Sequence, residues 1–362
     1  MARCTTLGPL PCIEGLDVVR LAAVARRHRV EGLVAHGLRQ TGLDVPAEIE
    51  QAAFDRAAAA LRIAADAQRI GALFKAAGID WIVVKGPPLA ALAYGNAALK
   101  MSRDLDLLVA PGDVVGACRL LSVAGYRRVV PGPEVSDARL PVWLRYHQDI
   151  GWSHHASGVL VELHARLFDN PALLPQIGTS SPRQEVEVAP GVRLPTLARE
   201  PLQLYLAVHG AVSGWARLKW LADWAAIVDD PERSYRAAVA AGVGRCAGQG
   251  LLLAEELLDL ELPPRLSDEL GQDRTVKRLV AVARRLLVGP SELREVDWES
   301  RDPLALELSH FLLRRGAGFK LTELRHKIAN PGDRARGALP GALGFLYPAL
   351  GGLRYARRRL RR

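Results

Sequence analysis

Cysteine is scarce in this 362-residue sequence: four thiols, Cys4, Cys12, Cys118 and Cys246, form no CxxC pair and show no zinc-ligand spacing. That pattern argues against a disulfide framework or a structural metal and fits free thiols in a reducing compartment. Long apolar runs are also missing, so no segment reads as a bilayer-spanning helix. The opening stretch MARCTTLGPLPCIEGLD has no sustained apolar region of the secretory type, and the expected location is the cytoplasm. A GxxxxGK[ST] loop is absent, which excludes the P-loop class of phosphate binders, and no internal repeat is visible. An excess of positive charge is missing from most of the chain as well. The net charge is +9, yet from Arg314 onward thirteen lysines and arginines face only Glu323 and Asp333. The basic character therefore belongs to the C-terminal tail and gives no argument that the body binds nucleic acid.

What is present is a change of periodicity along the chain. Apolar residues Val18, Leu21, Val24, Val30, Leu33 and Leu38 recur at helical spacing, interrupted by RRHRVEG, and predict two short helices. A longer Ala-rich helix is expected from about Ala47 through Ala77, ended at Gly78. Short β-like runs then alternate with helices: WIVVKG, PPLAALAYG, LDLLV, PGDVVGACRLLSVAGY, DIGWSHH and GVLVELHARL. VEVAPGVRLPTL reads as a hairpin-like excursion, and the chain is helical from Glu200. The expected organisation is α+β with an α/β core. It comprises a helical segment over 1–78, the core over 79–198, a helical domain over 199–313 and a basic tail over 314–362.

Within SRDLDLLVAP, Asp104 and Asp106 sit on one face of a strand otherwise rich in apolar residues, roughly 6.6 Å apart by the strand rise. Asp is depleted from strands, so two there suit a place that holds a cation, although acid pairs near strand ends are also found solvated or capping the next helix. A third acid, Glu162 in VLVELHARL, shares its face with His164. If the two strands are neighbours, three carboxylates converge, the arrangement that hard cations such as Mg²⁺ prefer in phosphoryl chemistry. His164 suits either a substrate contact or structural hydrogen bonds. Upstream, Lys85 and Gly86 close a strand and open a helix, giving a cation and close backbone approach for a phosphate, while Pro87 and Pro88 remove two N–H donors from that turn. The same KGPP is also an ordinary strand-to-helix turn.

The stretch KGPPLAALAYGNAALKMSRDLDLLV, followed by VLVELH and HGAVSGWARLKWLADWAAIV, resembles the uncharacterised nucleotidyltransferase family within the DNA polymerase β-like superfamily. The resemblance maps onto Lys85, Gly86, Tyr94, Arg103, Asp104, Asp106, Glu162, His164 and His209. It implies a polymerase β-like nucleotidyltransferase sheet flanked by N-terminal helices and a C-terminal helical domain. It also implies transfer of a nucleotidyl group from an NTP with Mg²⁺ or Mn²⁺ held by Asp104, Asp106 and Glu162. The acceptor it implies is a hydroxyl or amine, with peptides and small metabolites in range. Lys100 stands where an Arg is usual, Ala165 where Trp is common, and Val212 and Ser213 where a second His often appears.

In the helical half, His209, Arg217 and Lys219 are candidates to face the nucleotide together with Lys100 and Arg103. Lys219 and Asp223 are four apart, which alternatively makes an intrahelical ion pair. Leu218, Leu221, Ala222 and Ala225 are expected to form the core stripe, with Trp215, Trp220 and Trp224 as packing residues. The tail admits three readings: a packed segment with a solvated end, a contact with anionic membrane, or a nucleic-acid contact. The rival to the enzyme reading is a non-catalytic binding module that kept the fold and acts through this tail on RNA, membrane or a partner protein.

Overall fold

The computed structural model describes residues 17–100, 102–288 and 303–328. Cys4, Cys12 and the terminal basic cluster, with its three readings, lie outside the described residues. Two short helices, α1 (Val18–His28) and α2 (Glu31–Gln40), precede the long α3 (Ala47–Ala76). The Asp17 side chain accepts a hydrogen bond from the Arg20 N–H at 2.9 Å, which satisfies a donor that the helix itself cannot. α3 ends where Gly78 takes φ +70, so that the Ile79 N–H reaches back to the Phe74 carbonyl at 2.9 Å.

A sheet follows, built from β1 (Trp81–Val83), β2 (Asp104–Val109), β3 (Tyr126–Val130), β4 (Asp149–His154) and β5 (Leu160–His164) in the order β1-β2-β5-β4-β3. The neighbouring placement of β2 and β5 meets the condition on which the acid argument depended. Leu105, Leu107, Leu108 and Val109 are all buried, so β2 is covered on both faces, as the consecutive Leu107, Leu108 and Val109 require. β3 and β4, and β4 and β5, pair antiparallel. α4 (Pro87–Tyr94), α5 (Val114–Val123) and α6 (Leu140–Trp143) lie between the strands in sequence. β6 (Arg183–Ala189) and β7 (Val192–Leu197) form the expected hairpin as a separate two-stranded sheet. Eight further helices complete the described chain. They are α7 (Arg199–Val212), α8 (Leu218–Ile227), α9 (Pro231–Ala240), α10 (Gly244–Leu258), α11 (Pro264–Gln272), α12 (Arg274–Val288), α13 (Pro303–Ser309) and α14 (Ala317–Ile328).

Internal contacts divide the chain into two units. The first comprises Met1–Arg69, Val83–Leu105 and Ser181–Arg314; the second comprises Ile70–Ile82, Asp106–Ser180 and Arg315–Arg362. In the first unit, Thr196 on β7 donates its hydroxyl to the Val83 carbonyl at 2.7 Å. Its helical half is built around Trp215 and Trp224, both buried, with ring centroids 5.7 Å apart. Gly210 makes this possible: a Cβ there would lie 2.3 Å from the Trp215 ring. The His-Gly pair that opens the helical motif thus has a packing reason for its glycine. The buried stripe of α8 is Leu221, Trp224 and Ile227 with Asp223, while Leu218, Ala222 and Ala225 are half-buried. It is therefore rotated from the stripe expected from the sequence, because the large indole of Trp224 takes the core position.

The second unit holds the sheet core, with Ile82, Leu107, Ile150, Val161 and Leu163 fully buried. α14, at the start of the segment expected as a basic tail, brings Glu323 into this unit, where its carboxylate accepts from Asn170 Nδ2 at 2.7 Å. Cys118 and Cys246 are buried free thiols whose pKa burial pushes up to about 12. Among the described residues no helix is long and apolar enough to cross a membrane.

Candidate functional site

Asp106 lies in the middle of β2, and Glu162 and His164 lie on the adjacent β5, where alternation sends both to one face. One donor atom from each of the three falls within 4.8 Å of the others, so the group could hold a metal ion. Asp106 is fully buried and His164 is 4% exposed, whereas Glu162 is half-buried. His164 Nε2 sits 3.3 Å from Asp106 Oδ1 and 3.6 Å from Glu162 Oε2. Its Nδ1 is buried with no hydrogen-bond partner among the described residues. Burial alone would lower the imidazole pKa, but the bonds to Asp106 and Glu162 and the charge of Asp149 outweigh it and raise the value to about 10.

The donor set fits a divalent cation. Two carboxylates suit the hard cations Mg²⁺ and Mn²⁺, and an imidazole nitrogen as third donor favours Mn²⁺ of the two. Asp106 and Glu162 are thus brought together as the spacing suggests. Asp104, half-buried and two residues upstream on β2, is not part of the group, and His164, expected as a nucleotide contact, is.

The sequence reading missed Asp149. It lies directly opposite His164 in the β4/β5 register, with Gly151 opposite Glu162, so it shares the face of the group. Burial raises its pKa, opposed by His164 and reinforced by Asp169. The signal was an acid opening the strand-like DIGWSH, whose face becomes legible only once its partner strand is known.

The expected phosphate contacts belong to the first unit. Gly86 takes φ +92 and ψ −136 as the N-cap of α4, with Pro87 and Pro88 behind it, and Lys85 beside it is half-buried. A Cβ on Gly86 would meet Ser102 Oγ at 3.5 Å, so the glycine is required by its backbone angle and not by crowding. Lys100 is buried and its ammonium lies 3.3 Å from Asp223 Oδ2, while the Tyr94 hydroxyl donates to Asp223 Oδ1 at 2.9 Å. Asp223 therefore bonds Lys100 and Tyr94 instead of forming the intrahelical pair with Lys219 that the spacing offered. Arg103 is exposed, Arg217 is buried at the N-cap of α8, and His209 stacks on Tyr205 and meets Trp220 edge-on, each at 5.7 Å.

A search of curated proteins finds no match. The family model of the uncharacterised nucleotidyltransferases matches residues 14–259, the larger part of the chain and the stretch that carries every residue of both clusters. The α+β architecture is in keeping with a nucleotidyltransferase-like fold. This chain belongs to the uncharacterised nucleotidyltransferase family.

Proposed function

We propose that this protein is a metal-dependent nucleotidyltransferase that moves an NMP group from an NTP to a hydroxyl or amine of a small-molecule, peptide or protein acceptor. The observation that carries the reading is the group Asp106, Glu162 and His164 on adjacent strands in a chain of a nucleotidyltransferase family. A divalent cation, Mg²⁺ or Mn²⁺, would be held by those three residues and would supply charge stabilisation at the transferring phosphorus.

The chain's own residues do the rest. Asp106, buried and fixed in a central strand, keeps its carboxylate in one place and so needs little reorganisation to meet a cation. Asp104, on the same strand face, adds negative charge beside it. Lys85 and the side-chain-free Gly86 approach the triphosphate, with Arg103, Arg217 and His209 as further contacts to the nucleotide. In the reaction the acceptor oxygen or nitrogen bonds to the α-phosphorus and gives up its proton to solvent, the bond to the bridging oxygen breaks and pyrophosphate leaves.

The reading is tested with NTPs labelled at either the α- or the γ-phosphorus, incubated with the protein, Mg²⁺ or Mn²⁺ and a cell extract as acceptor pool. Label carried to acceptors from the α position alone is the expected result. Transfer from the γ position would make the protein a phosphotransferase, and no transfer from any of the four NTPs would reject the proposal.

A further inference from the structure

His164 presents one ring nitrogen, Nε2, to Asp106 and Glu162, at 3.3 and 3.6 Å. A histidine that ligates a cation through Nε2 does so as a neutral imidazole, with its remaining proton on Nδ1. In His164 that Nδ1 is buried with no hydrogen-bond partner among the described residues, and a buried N–H without an acceptor is costly. β4 brings an acceptor to it. The Ala165 N–H donates to the Gln148 carbonyl at 2.8 Å and the His154 N–H to the Val159 carbonyl at 3.0 Å, so the even-numbered residues of β4 form its hydrogen-bonded pairs with β5. Asp149 and His164 are therefore a non-hydrogen-bonded pair, the kind in which directly opposed side chains come closest. Gly151, the next residue of β4 on this face, puts no side chain beside Glu162. The Asp149 carboxylate makes no hydrogen bond or ion pair among the described residues, whereas its backbone is held on both sides. Its carbonyl accepts from Trp143 Nε1 at 2.9 Å, and the Gln148 N–H donates to Asp169 Oδ1 at 2.8 Å.

We propose that Asp149 is a positioning residue of the cation site: its carboxylate accepts the Nδ1–H of His164 when Nε2 ligates the cation. That bond fixes the tautomer and the orientation of the ring, and the negative charge behind the imidazole makes Nε2 a stronger donor. The inference deepens the metal-dependent reading and rests on it for the presence of a cation at this group; the acid beside His164 is given by the strand register alone. In this role Asp149 touches neither the cation nor the nucleotide. It acts through His164, so its effect belongs to metal affinity and disappears when His164 is replaced.

Mn²⁺ titrations of the full chain, with the free ion counted by electron paramagnetic resonance, measure affinity without any turnover. Asp149→Leu and Asp149→Asn both remove the charge at similar size, but only Asp149→Asn keeps an oxygen that accepts Nδ1–H. Asp149→Leu is expected to weaken Mn²⁺ binding about tenfold or more, and Asp149→Asn to weaken it less, each in protein shown by its melting curve to be folded. In a His164→Gln background the two substitutions are expected to give equal affinities, since the group they act through is gone. Unchanged affinity in Asp149→Leu, equal losses in Asp149→Leu and Asp149→Asn, or a gap between them that persists in His164→Gln overturns the role. Absence of Mn²⁺ binding by wild type rejects the cation group and the role together. Mn²⁺ binding with the expected gap but no nucleotidyl transfer leaves the role standing and rejects the reaction; transfer with unchanged Mn²⁺ affinity in Asp149→Leu rejects the role and leaves the reaction.

Discussion

Replacing Asp223 by alanine removes the carboxylate shared by the buried Lys100 and the half-buried Tyr94 of the first unit. Lys100 and Asp223 have side chains 6% and 3% exposed and form an ion pair of 3.3 Å, and Tyr94 donates to the same carboxylate. Breaking a buried pair from one side leaves the other charge stranded, at a cost of about 3–5 kcal/mol, and the orphaned tyrosine hydroxyl adds about 1 kcal/mol. The two losses share one carboxylate and do not add in full, so about 4 kcal/mol is the working figure. Urea unfolding followed by tryptophan fluorescence suits this measurement, because Trp215 and Trp224 lie buried in the unit that holds Asp223. The double variant Lys100→Met/Asp223→Leu is the control, since replacing both members by apolar residues leaves no buried charge and should restore stability to within about 2 kcal/mol of wild type. An Asp223→Ala loss below about 1 kcal/mol would refute the argument, because it would mean that Lys100 finds water without its partner.

Lys219 gives a pH signature: its pKa is about 7 folded against an ordinary 10.5, so the unfolded chain binds the extra proton between those values. The contribution of this residue to stability therefore rises with pH across that window, and a Lys219→Met variant should be more stable than wild type at pH 6.5, by a margin that shrinks towards pH 9. A margin that grows with pH would contradict the sign. Gly86→Ala forces a Cβ into φ +92 with no clash to relieve, so a loss of about 1–2 kcal/mol is expected in chemical unfolding, and a neutral result would show that the turn relaxes. Millimolar Mn²⁺ should raise the melting temperature more than Mg²⁺, since the third donor is an imidazole, and the rise should vanish in Glu162→Gln. Equal effects of both ions in the variant and the wild type would place their binding elsewhere.

Much of the fold was legible because its elements carry strong local signals. α3 is a long Ala-rich run with a glycine stop, β2 a leucine-rich strand marked by two aspartates, and the β6/β7 hairpin has Gly191 at its turn with φ +73. β3 was not anticipated, since Arg127, Val129 and Val130 are all exposed and leave its five residues without the alternation of a half-buried strand. At the site, alternation in each strand was sufficient to put Asp106 with Glu162, given that β2 and β5 are neighbours. The membership of His164 in place of Asp104, and the position of Asp149 opposite it, depend on pairing between distant segments, which sequence spacing does not encode. The same limit applies to Asp223: its neighbour in sequence is Lys219, but its partners come from residues more than a hundred positions upstream, Tyr94 and Lys100.

The most direct measurement of the central claim is the initial rate of label transfer from an α-labelled NTP by wild type, Asp106→Asn and Glu162→Gln, each shown by its melting curve to be folded. Asn and Gln keep size and hydrogen bonding but remove the charge that holds a cation. Loss of several kcal/mol of charge stabilisation at the transferring phosphorus predicts a fall of roughly a thousandfold or more in both variants. Transfer at the wild-type rate in both would contradict the account, because the chemistry would then owe nothing to the carboxylates that β2 and β5 bring together.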